Sequence, residues 1–177
     1  MSQHIIRRAR ADDIASMARI NAEVFLGDRD HLPGATAWVT SFHNAFPVYQ
    51  YFVIEQAGVL AGYAGWQTHG GFHRSEPAIE LDQIGIDPVH QGKGLASELI
   101  GANMKELATW MQTINDRIES HIGFVVWVNK HNKNATRVYT KMFGDMVCGR
   151  RTQFGDREEI MFRTRVPIIR PVRDESA

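Results

Sequence analysis

The sequence predicts a mixed α/β (α+β) fold, with a central mixed, mostly antiparallel sheet, flanking helices and one parallel pair of strands. Three observations predict this class. A chain of 177 residues, 44% of them hydrophobic, is long enough to bury the core of one domain. Its apolar patterns give the element order β-α-α-β-β-β-α-β-α-β-β. Between residues 78 and 128, a strand, a glycine-rich turn, a helix and a second strand follow one another, which is typical of a βαβ unit.

The first half of the chain contains a strand, two helices and a hairpin of strands. Apolar residues recur at helical spacing from Ile14 to Val24, after an aspartate pair that can cap a helix. Trp38 and Phe42 lie four residues apart in the second helix, which Pro47 ends. The predicted elements are a strand at 4–8, a helix from Asp12 or Asp13 to Phe25, a polar loop at 27–34, a helix at 35–46, and strands at 51–55 and 59–66 joined at Ala57-Gly58.

Strand and helix patterns alternate in the second half. Leu95, Leu99 and Leu107 fall on one side of a helix that begins in the glycine-rich segment 91–96. The predicted elements are a strand at 78–87 closed by Pro88, that helix to about residue 111, a strand at 122–128, a helix at 132–143, and strands at 146–154 and 158–166. We therefore expect a single domain over residues 1–166 and a flexible tail at 167–177.

Composition excludes several kinds of protein. Twenty Lys and Arg balance twenty Asp and Glu, so net charge gives no reason to expect a nucleic-acid partner. The single cysteine, Cys148, cannot form an intramolecular disulfide, and its apolar surroundings favour a small core residue. The N-terminus shows no secretory signal, and no apolar run is long enough for a membrane span. We expect a cytoplasmic protein, monomeric or homodimeric, without a membrane partner.

The segment Gln91-Gly92-Lys93-Gly94-Leu95-Ala96 lies where a strand ends and a helix begins. Glycine lets the backbone approach a ligand closely, and the first turn of a helix offers N–H groups and the positive end of its dipole, which suits a phosphate. A P-loop is excluded because Gly94 follows Lys93, and a dinucleotide fingerprint because Ser97 stands at the third glycine position. The alternative is a plain helix start where glycines relieve crowding.

Two segments resemble the Gcn5-related N-acetyltransferases (GNAT). The first, 84–99, resembles their acetyl-CoA-binding segment, whose signature is Arg or Gln, two residues, Gly, one residue, then Gly or Ala. Its matching residues are Gln91, Gly94 and Ala96. The second, 128–141, matches the family's common pattern at Asn132, Ala135, Tyr139 and Lys141. The family usually ends this helix with Gly-Phe, whereas Phe143-Gly144 reverses the pair and predicts a helix one residue longer.

The resemblance implies a sheet whose parallel strands splay around acetyl-CoA, used as a co-substrate without a metal. Backbone amides of the glycine turn would bind the pyrophosphate, and the preceding strand would bind the pantetheine arm. Asn132 would cap its helix or reach the cofactor. The implied cofactor-binding residues are Ile84, Gly85, Ile86, Gln91, Gly92, Lys93, Gly94, Leu95, Ala96 and Asn132.

Acetyl transfer to an amine requires a proton acceptor for the ammonium, a fixed donor for the oxyanion and a proton for the leaving thiolate. Glu80 and Asp82 alternate with apolar residues, so both carboxylates point to one face of a strand and are candidate bases. The alternative is a strand end facing water, with Arg74 or another cation as partner. The resemblance implies that Tyr139 is the general acid; otherwise it is a core tyrosine.

We therefore predict an N-acetyltransferase that acts on a primary amine by direct attack. A small cationic amine or amino compound is the expected acceptor, because residues 1–129 carry a net charge of −5 and residues 130–177 a net charge of +5. The family builds its acceptor wall near the region of Trp38, Phe42 and Phe46. The alternatives are a protein N-terminus or lysine, an aminoacyl-tRNA, or a non-catalytic acyl-CoA sensor. The two His residues around Gly70-Gly71 lack the carboxylates of a metal site.

Overall fold

A computed structural model describes residues 4–27, 29–70, 73–144, 146–147 and 158–168. The strands are β1 (His4–Arg8), β2 (Tyr49–Gln56), β3 (Val59–His69), β4 (Ala78–Ile86), β5 (His121–Asn129) and β6 (Glu159–Pro167). The helices are α1 (Ile14–Asn21), α2 (Leu32–His43), α3 (Leu95–Ile114) and α4 (Lys133–Phe143). The strands form one sheet in the order β1-β2-β3-β4-β5-β6, and β4–β5 is the parallel pair among antiparallel neighbours. The predicted fold class is confirmed.

The second helix begins and ends earlier than the sequence predicts. A polar loop is predicted at 27–34, but α2 begins at Leu32 after a short 3₁₀ turn. Pro33 lies in its first turn, where the missing N–H costs no helical hydrogen bond. The helix ends at His43, and the N–H of Ala45 bonds to the Phe42 carbonyl at 3.1 Å, three residues back, which tightens the chain before Pro47.

The C-terminal elements are described in part. Met146 forms an isolated antiparallel bridge with Phe162 of β6. The rest of the strand predicted there, Cys148–Phe154, lies outside the described residues, as do residues 169–177. The tail predicted from residue 167 begins too early, because Pro167 is part of β6.

Apolar side chains pack on both faces of the sheet. The face under α3 and α4 buries Trp66 and Phe124, and the face under α1 and α2 buries Met17, Val53 and Tyr63. Each face therefore has its own core. None of the described helices combines the length and the apolar character needed to cross a bilayer.

One extra residue interrupts β4. Gly65 of β3 pairs with Gln83, but the next residue, Trp66, pairs with Leu81. Asp82 is therefore a β-bulge, with two residues of β4 opposite one of β3. A bulge shifts the alternation of side chains by one position.

The shift changes which residues of β4 face which core. Leu81 and Ile84 both pack against the α3–α4 core, although strict alternation would place them on opposite faces. Beyond the pair Leu81–Val126, β4 and β5 no longer pair with each other, although β4 stays paired with β3 and β5 with β6. The two parallel strands thus separate just beside the bulge.

An ion-pair network ties β1, β2 and the start of α1 together. The Arg7 guanidinium donates to both carboxylate oxygens of Asp13, at 2.7 and 2.9 Å, and to Glu55 at 2.5 and 2.8 Å. Asp13 also accepts from the backbone N–H of Arg10 at 2.6 Å. The hydrogen bond from Arg7 lowers the pKa of Asp13 and outweighs the opposite effect of burial.

Replacing Asp13 tests this network. We expect Asp13→Asn to lower the free energy of unfolding by about 2 kcal/mol at neutral pH, because Arg7 loses a charged partner. Since the pKa of Asp13 is lowered on folding, its contribution is present above the ordinary carboxyl pKa of about 4 and is lost as pH falls through the folded value. The difference between the proteins should therefore shrink at acid pH. Urea denaturation over a pH series measures it.

The exposed neighbour Asp12 provides the matched control. Asp12→Asn should change the free energy of unfolding by no more than about 0.5 kcal/mol. A stability difference for Asp13→Asn that stays the same from neutral pH down to about pH 2 would contradict the linkage.

Candidate active site

A cleft of about 550 Å³ opens between β4, α4 and the start of α3. We call it the glycine-turn cleft. Of the predicted cofactor-binding residues, those that line it are Ile84, Ile86, Gln91, Gly92, Gly94, Leu95, Ala96 and Asn132. Gly85 and Lys93 do not: Gly85 lies against Ile20 and Tyr63 on the other face of the sheet, and the Lys93 ammonium donates to the Val89 carbonyl at 3.3 Å.

The glycines of the turn are required by the backbone conformation. Gly92 and Gly94 have φ of 76° and 82°, in the left-handed region that other residues rarely adopt. A Cβ atom added at either position would meet no described atom within 4 Å, so relief of crowding does not explain them. Gly94 is the N-cap of α3 and offers no capping side chain. The first helical hydrogen bond is donated by Glu98, so the preceding N–H groups have no partner within the helix and suit an anion.

Side chains on either side fix the turn. Gln91 donates to the carbonyl of Ile86, at the end of β4, at 3.0 Å. Asp87 accepts from Arg19 of α1 at 2.6 Å and from the N–H of Val89 at 3.1 Å. Although burial raises the pKa of Asp87, these two hydrogen bonds lower it below its ordinary value overall. The turn is therefore anchored to both β4 and α1.

Tyr139 lies in the glycine-turn cleft and is 6% exposed. It is on α4, which Asn132 caps by accepting from the N–H of Ala135 at 3.1 Å. The phenol ring packs edge-on against Phe143, with 6.0 Å between centroids. Burial raises the pKa of Tyr139 to about 12, and its hydroxyl makes no hydrogen bond to a described residue. The phenol therefore keeps its proton at neutral pH. Helix α4 ends at Phe143, as predicted from its sequence.

A second cleft of about 500 Å³ lies on the α1–α2 side of β4. We call it the carboxylate cleft. Its described lining residues are Asn21, Phe25, Leu26, Gly34, Ala35, Trp38, Glu80, Leu81, Asp82, Gln83, Trp127 and Glu159. Both predicted candidate bases, Glu80 and Asp82, are among them, as is Trp38 of the predicted acceptor wall.

Each candidate base already accepts hydrogen bonds from the protein. Glu80 pairs with His69 of β3 at 2.8 Å, a partner that the sequence did not indicate. Asp82 accepts on one oxygen from the Tyr49 hydroxyl at 2.7 Å and from the Gln83 amide at 3.2 Å. Burial, with the nearby charge of Asp82, raises the pKa of Tyr49, so this hydroxyl stays a donor.

A buried polar network supports the floor of the carboxylate cleft. Asn21 donates to the Tyr63 hydroxyl at 2.7 Å. Asn21, Tyr51 and Tyr63 each also lie 3.4 Å from the Gln83 amide oxygen. The sequence places Tyr51 and Tyr63 in strands, Tyr51 either in the core or at the acceptor wall, and does not predict that their hydroxyls lie near Gln83. Gly65 of β3 makes room for the rings of Tyr49 and Tyr51, because a Cβ at this position would collide with both.

The aromatic wall differs from the prediction in its members. Phe42 packs between Trp38 and Tyr49, with centroids 4.7 and 4.4 Å apart, and Phe46 lies 5.7 Å from the Arg8 guanidinium; neither lines the carboxylate cleft. The lining residues that sequence reasoning missed include Phe25, Leu26, Trp127 and Glu159. Phe25 and Leu26 follow α1 in a π-helical turn, a distortion frequent at functional sites. No pattern in the sequence marked it.

The two clefts meet at β4. Gln83 lines the carboxylate cleft and its neighbour Ile84 lines the glycine-turn cleft. In the same way, Asn21 lines the carboxylate cleft and Val24 lines the glycine-turn cleft. Within the described ranges, no three His, Cys, Asp or Glu side chains are grouped as a metal site requires. One cleft thus contains a turn with N–H groups that lack helical partners and a protonated phenol, and the other contains three carboxylates.

A curated relative shares part of this sequence. The N-alpha-acetyltransferase RimI of Mycobacterium tuberculosis (strain ATCC 25618 / H37Rv) is 33% identical over 90 residues, which is 50% of this chain and 52% of RimI. The match thus spans about half the length of either protein.

Solved structures match nearly the whole chain. The spermidine/spermine N-acetyltransferase SpeG of Vibrio cholerae superimposes with a TM-score of 0.63 at 21% identity, covering 93% of this chain and 95% of SpeG. The protein yncA of Salmonella typhimurium, solved with its cofactor acetyl-CoA, superimposes with a TM-score of 0.63 at 20% identity. This match covers 99% of this chain and 100% of yncA. These likenesses show the fold. Residues 14–145 match the family model described as "Acetyltransferase (GNAT) family", and the chain belongs to that family.

Proposed function

We propose that the protein transfers an acetyl group from acetyl-CoA to a primary amine by direct attack. One observation carries this proposal: consecutive residues of β4, Gln83 and Ile84, line a carboxylate cleft and an anion-binding cleft. An activated acyl group bound in one cleft and an amine bound in the other would therefore meet at the same strand. Family membership supports the same chemistry.

The glycine-turn cleft fits acetyl-CoA. The uncapped first turn of α3, with Gly92 and Gly94 exposing the backbone, suits a pyrophosphate. Apolar Ile84 and Ile86 line the same cleft and suit the pantetheine arm. Acetyl-CoA supplies an acetyl group activated as a thioester. The other predicted contacts, including Gly85 and Lys93, stay predictions.

Residues of both clefts supply the proton transfers. The acceptor enters as an ammonium, whose proton passes to Glu80 or Asp82, directly or through water. The freed nitrogen forms a bond to the acetyl carbon, and the bond between that carbon and sulfur breaks. Tyr139 then donates its phenolic proton to the sulfur; burial keeps the pKa of this phenol high, so the proton is present at neutral pH. The nitrogen is cationic after the attack and loses its second proton as the amide forms, and that proton returns through water to the Tyr139 phenolate. The net products are the amide, the CoA thiol and one proton, which the carboxylate holds and then releases to water.

A small cationic amine is the proposed acceptor, because Glu80, Asp82 and Glu159 all line the carboxylate cleft. A peptide N-terminus is the alternative, supported by the similarity to RimI. A non-catalytic acyl-CoA sensor would use the glycine-turn cleft alone and would not need the carboxylates. The cytoplasmic location and a monomeric or homodimeric state stay predictions.

Release of free thiol from acetyl-CoA, measured against a panel of amines and peptides, tests the proposal. Replacing Tyr139 by Phe should lower kcat about 100-fold, because it removes the acid but keeps the packed ring. The Kd for acetyl-CoA, from calorimetry, should stay within about twofold of wild type, because the proton is donated only in the transition state and does not contribute to cofactor binding. Tight acetyl-CoA binding without thiol release for any amine would favour the sensor.

Removing the carboxylate of Glu80 tests its role as the base. Glu80→Gln should lower kcat/KM for the amine by about 10- to 100-fold, because the ammonium loses a proton acceptor. Glu76→Gln, an exposed glutamate just before β4, is the matched control and should be unchanged. Full activity in Glu80→Gln would show that Glu80 is not the base, and would point to Asp82 or a chain of water molecules.

A further inference from the structure

The carboxylate cleft has walls of two kinds. Phe25 and Leu26 of the π-helical turn and Trp38 of α2 are among its lining residues, each about half exposed at 51%, 50% and 52%. Trp127 of β5 adds a second indole to the lining. Large apolar side chains exposed side by side within a concave site indicate a ligand with an apolar body. A short polar amine would leave most of this surface uncovered.

The charge of the cleft has one sign. Every ionisable side chain among its described lining residues is a carboxylate: Glu80, Asp82 and Glu159. A ligand that carries its own carboxylate would meet only repulsion there. The lining therefore selects an amine without a nearby acid group, and disfavours free amino acids.

The three carboxylates differ in how they are held. Asp82 accepts from Tyr49 and Gln83, and Glu80 pairs with His69. The Glu159 Oε2 atom, in contrast, is buried and has no hydrogen-bond partner in the described part of the chain. A buried acceptor without a partner is costly. Because Glu159 also lines the cleft, a rotation of its carboxyl group would present this oxygen to the charged donor of a bound ligand.

We propose that the acceptor is an amphipathic primary amine, a single ammonium joined to an aromatic or similarly large apolar group, and that Glu159 binds its ammonium. The inference rests on the proposed acetyl transfer and deepens it by naming the substrate class. The apolar group of this amine would pack against Phe25, Leu26, Trp38 and Trp127. Acetylation converts the ammonium into a neutral amide, so the product loses its attraction to Glu159 and is released.

Three matched amines test the substrate class in the thiol-release assay. Phenethylamine has the ring and the ammonium, ethylamine lacks the ring, and phenylalanine adds a carboxylate. Phenethylamine should show a kcat/KM at least about 10-fold above that of ethylamine, because the ring is buried against apolar walls. It should exceed phenylalanine by at least about 10-fold, because of like-charge repulsion. Equal values within either pair, or turnover confined to spermidine or to a peptide with a free α-amino group, would overturn the inference.

Glu159→Gln tests the residue. The KM for phenethylamine should rise about 10-fold or more, with the Kd for acetyl-CoA unchanged, because a charged hydrogen-bond partner is lost. Glu158→Gln is the matched control: Glu158 is the preceding residue, pairs with Lys130 and lies outside the cleft lining. It should leave this KM within about twofold. An unchanged KM in Glu159→Gln would overturn the assignment.

Calorimetry on the CoA-saturated protein separates this inference from the proposed transferase activity. Phenethylamine that binds more tightly than ethylamine, and more weakly in Glu159→Gln, supports the amine site whether or not turnover occurs. Turnover of several amines without preference would leave the transferase intact and overturn only the substrate class.

Discussion

The extra residue in β4 is the constraint on which both clefts depend. Because Asp82 has no separate partner in β3, the side chains beyond it change face, and Ile84 joins the core side that Leu81 occupies. Without the bulge, a one-residue shift would send Gln83 and Ile84 to the opposite faces. Ile84 would leave the glycine-turn cleft and Gln83 would leave the polar network. The position of the bulge, beside the point where β4 and β5 separate, explains why the clefts meet there.

The two clefts differ in the charge that they favour. At the glycine-turn cleft, the uncapped N-terminus of a 20-residue helix presents N–H groups and the positive end of the helix dipole. The carboxylate cleft presents only acidic groups among its charged lining residues. Under the proposed function, these charges would direct an anionic cofactor and a cationic acceptor to separate clefts. Tyr139, neutral and buried, adds no charge to either.

The fold class and the glycine turn could be predicted because they depend on residues close together in sequence. Residues 91–96 contain both the glycines and the helix start, so their geometry is local. The predicted start of α2 is wrong because Pro33 and Gly34 are typical of loops, although both are tolerated in a first helical turn. The bulge could not be predicted from the spacing of Glu80 and Asp82. These residues are two apart, so regular alternation already places them on one face of the strand, and the bulge changes the face only of the residues after Asp82.

The composition of the acceptor side could not be predicted, because it is assembled from distant elements. Phe25 follows α1, Trp127 lies on β5 and Glu159 lies on β6, and only the strand order of the sheet brings them together. Phe42 and Phe46 lie near Trp38 in sequence but outside the cleft lining. Proximity in sequence was therefore a poor guide to which side chains share this site.

A crystal structure of the protein with CoA and phenethylamine tests the central claim most directly, namely that β4 joins a cofactor cleft to an acceptor cleft. We expect pyrophosphate oxygens within about 3 Å of the N–H groups of the turn at 92–96, and the CoA sulfur beside the Tyr139 hydroxyl. We also expect the amine on the other side of β4, with its ammonium at Glu159. CoA bound elsewhere, or both ligands on one side of β4 with Tyr139 remote from the sulfur, would contradict the claim.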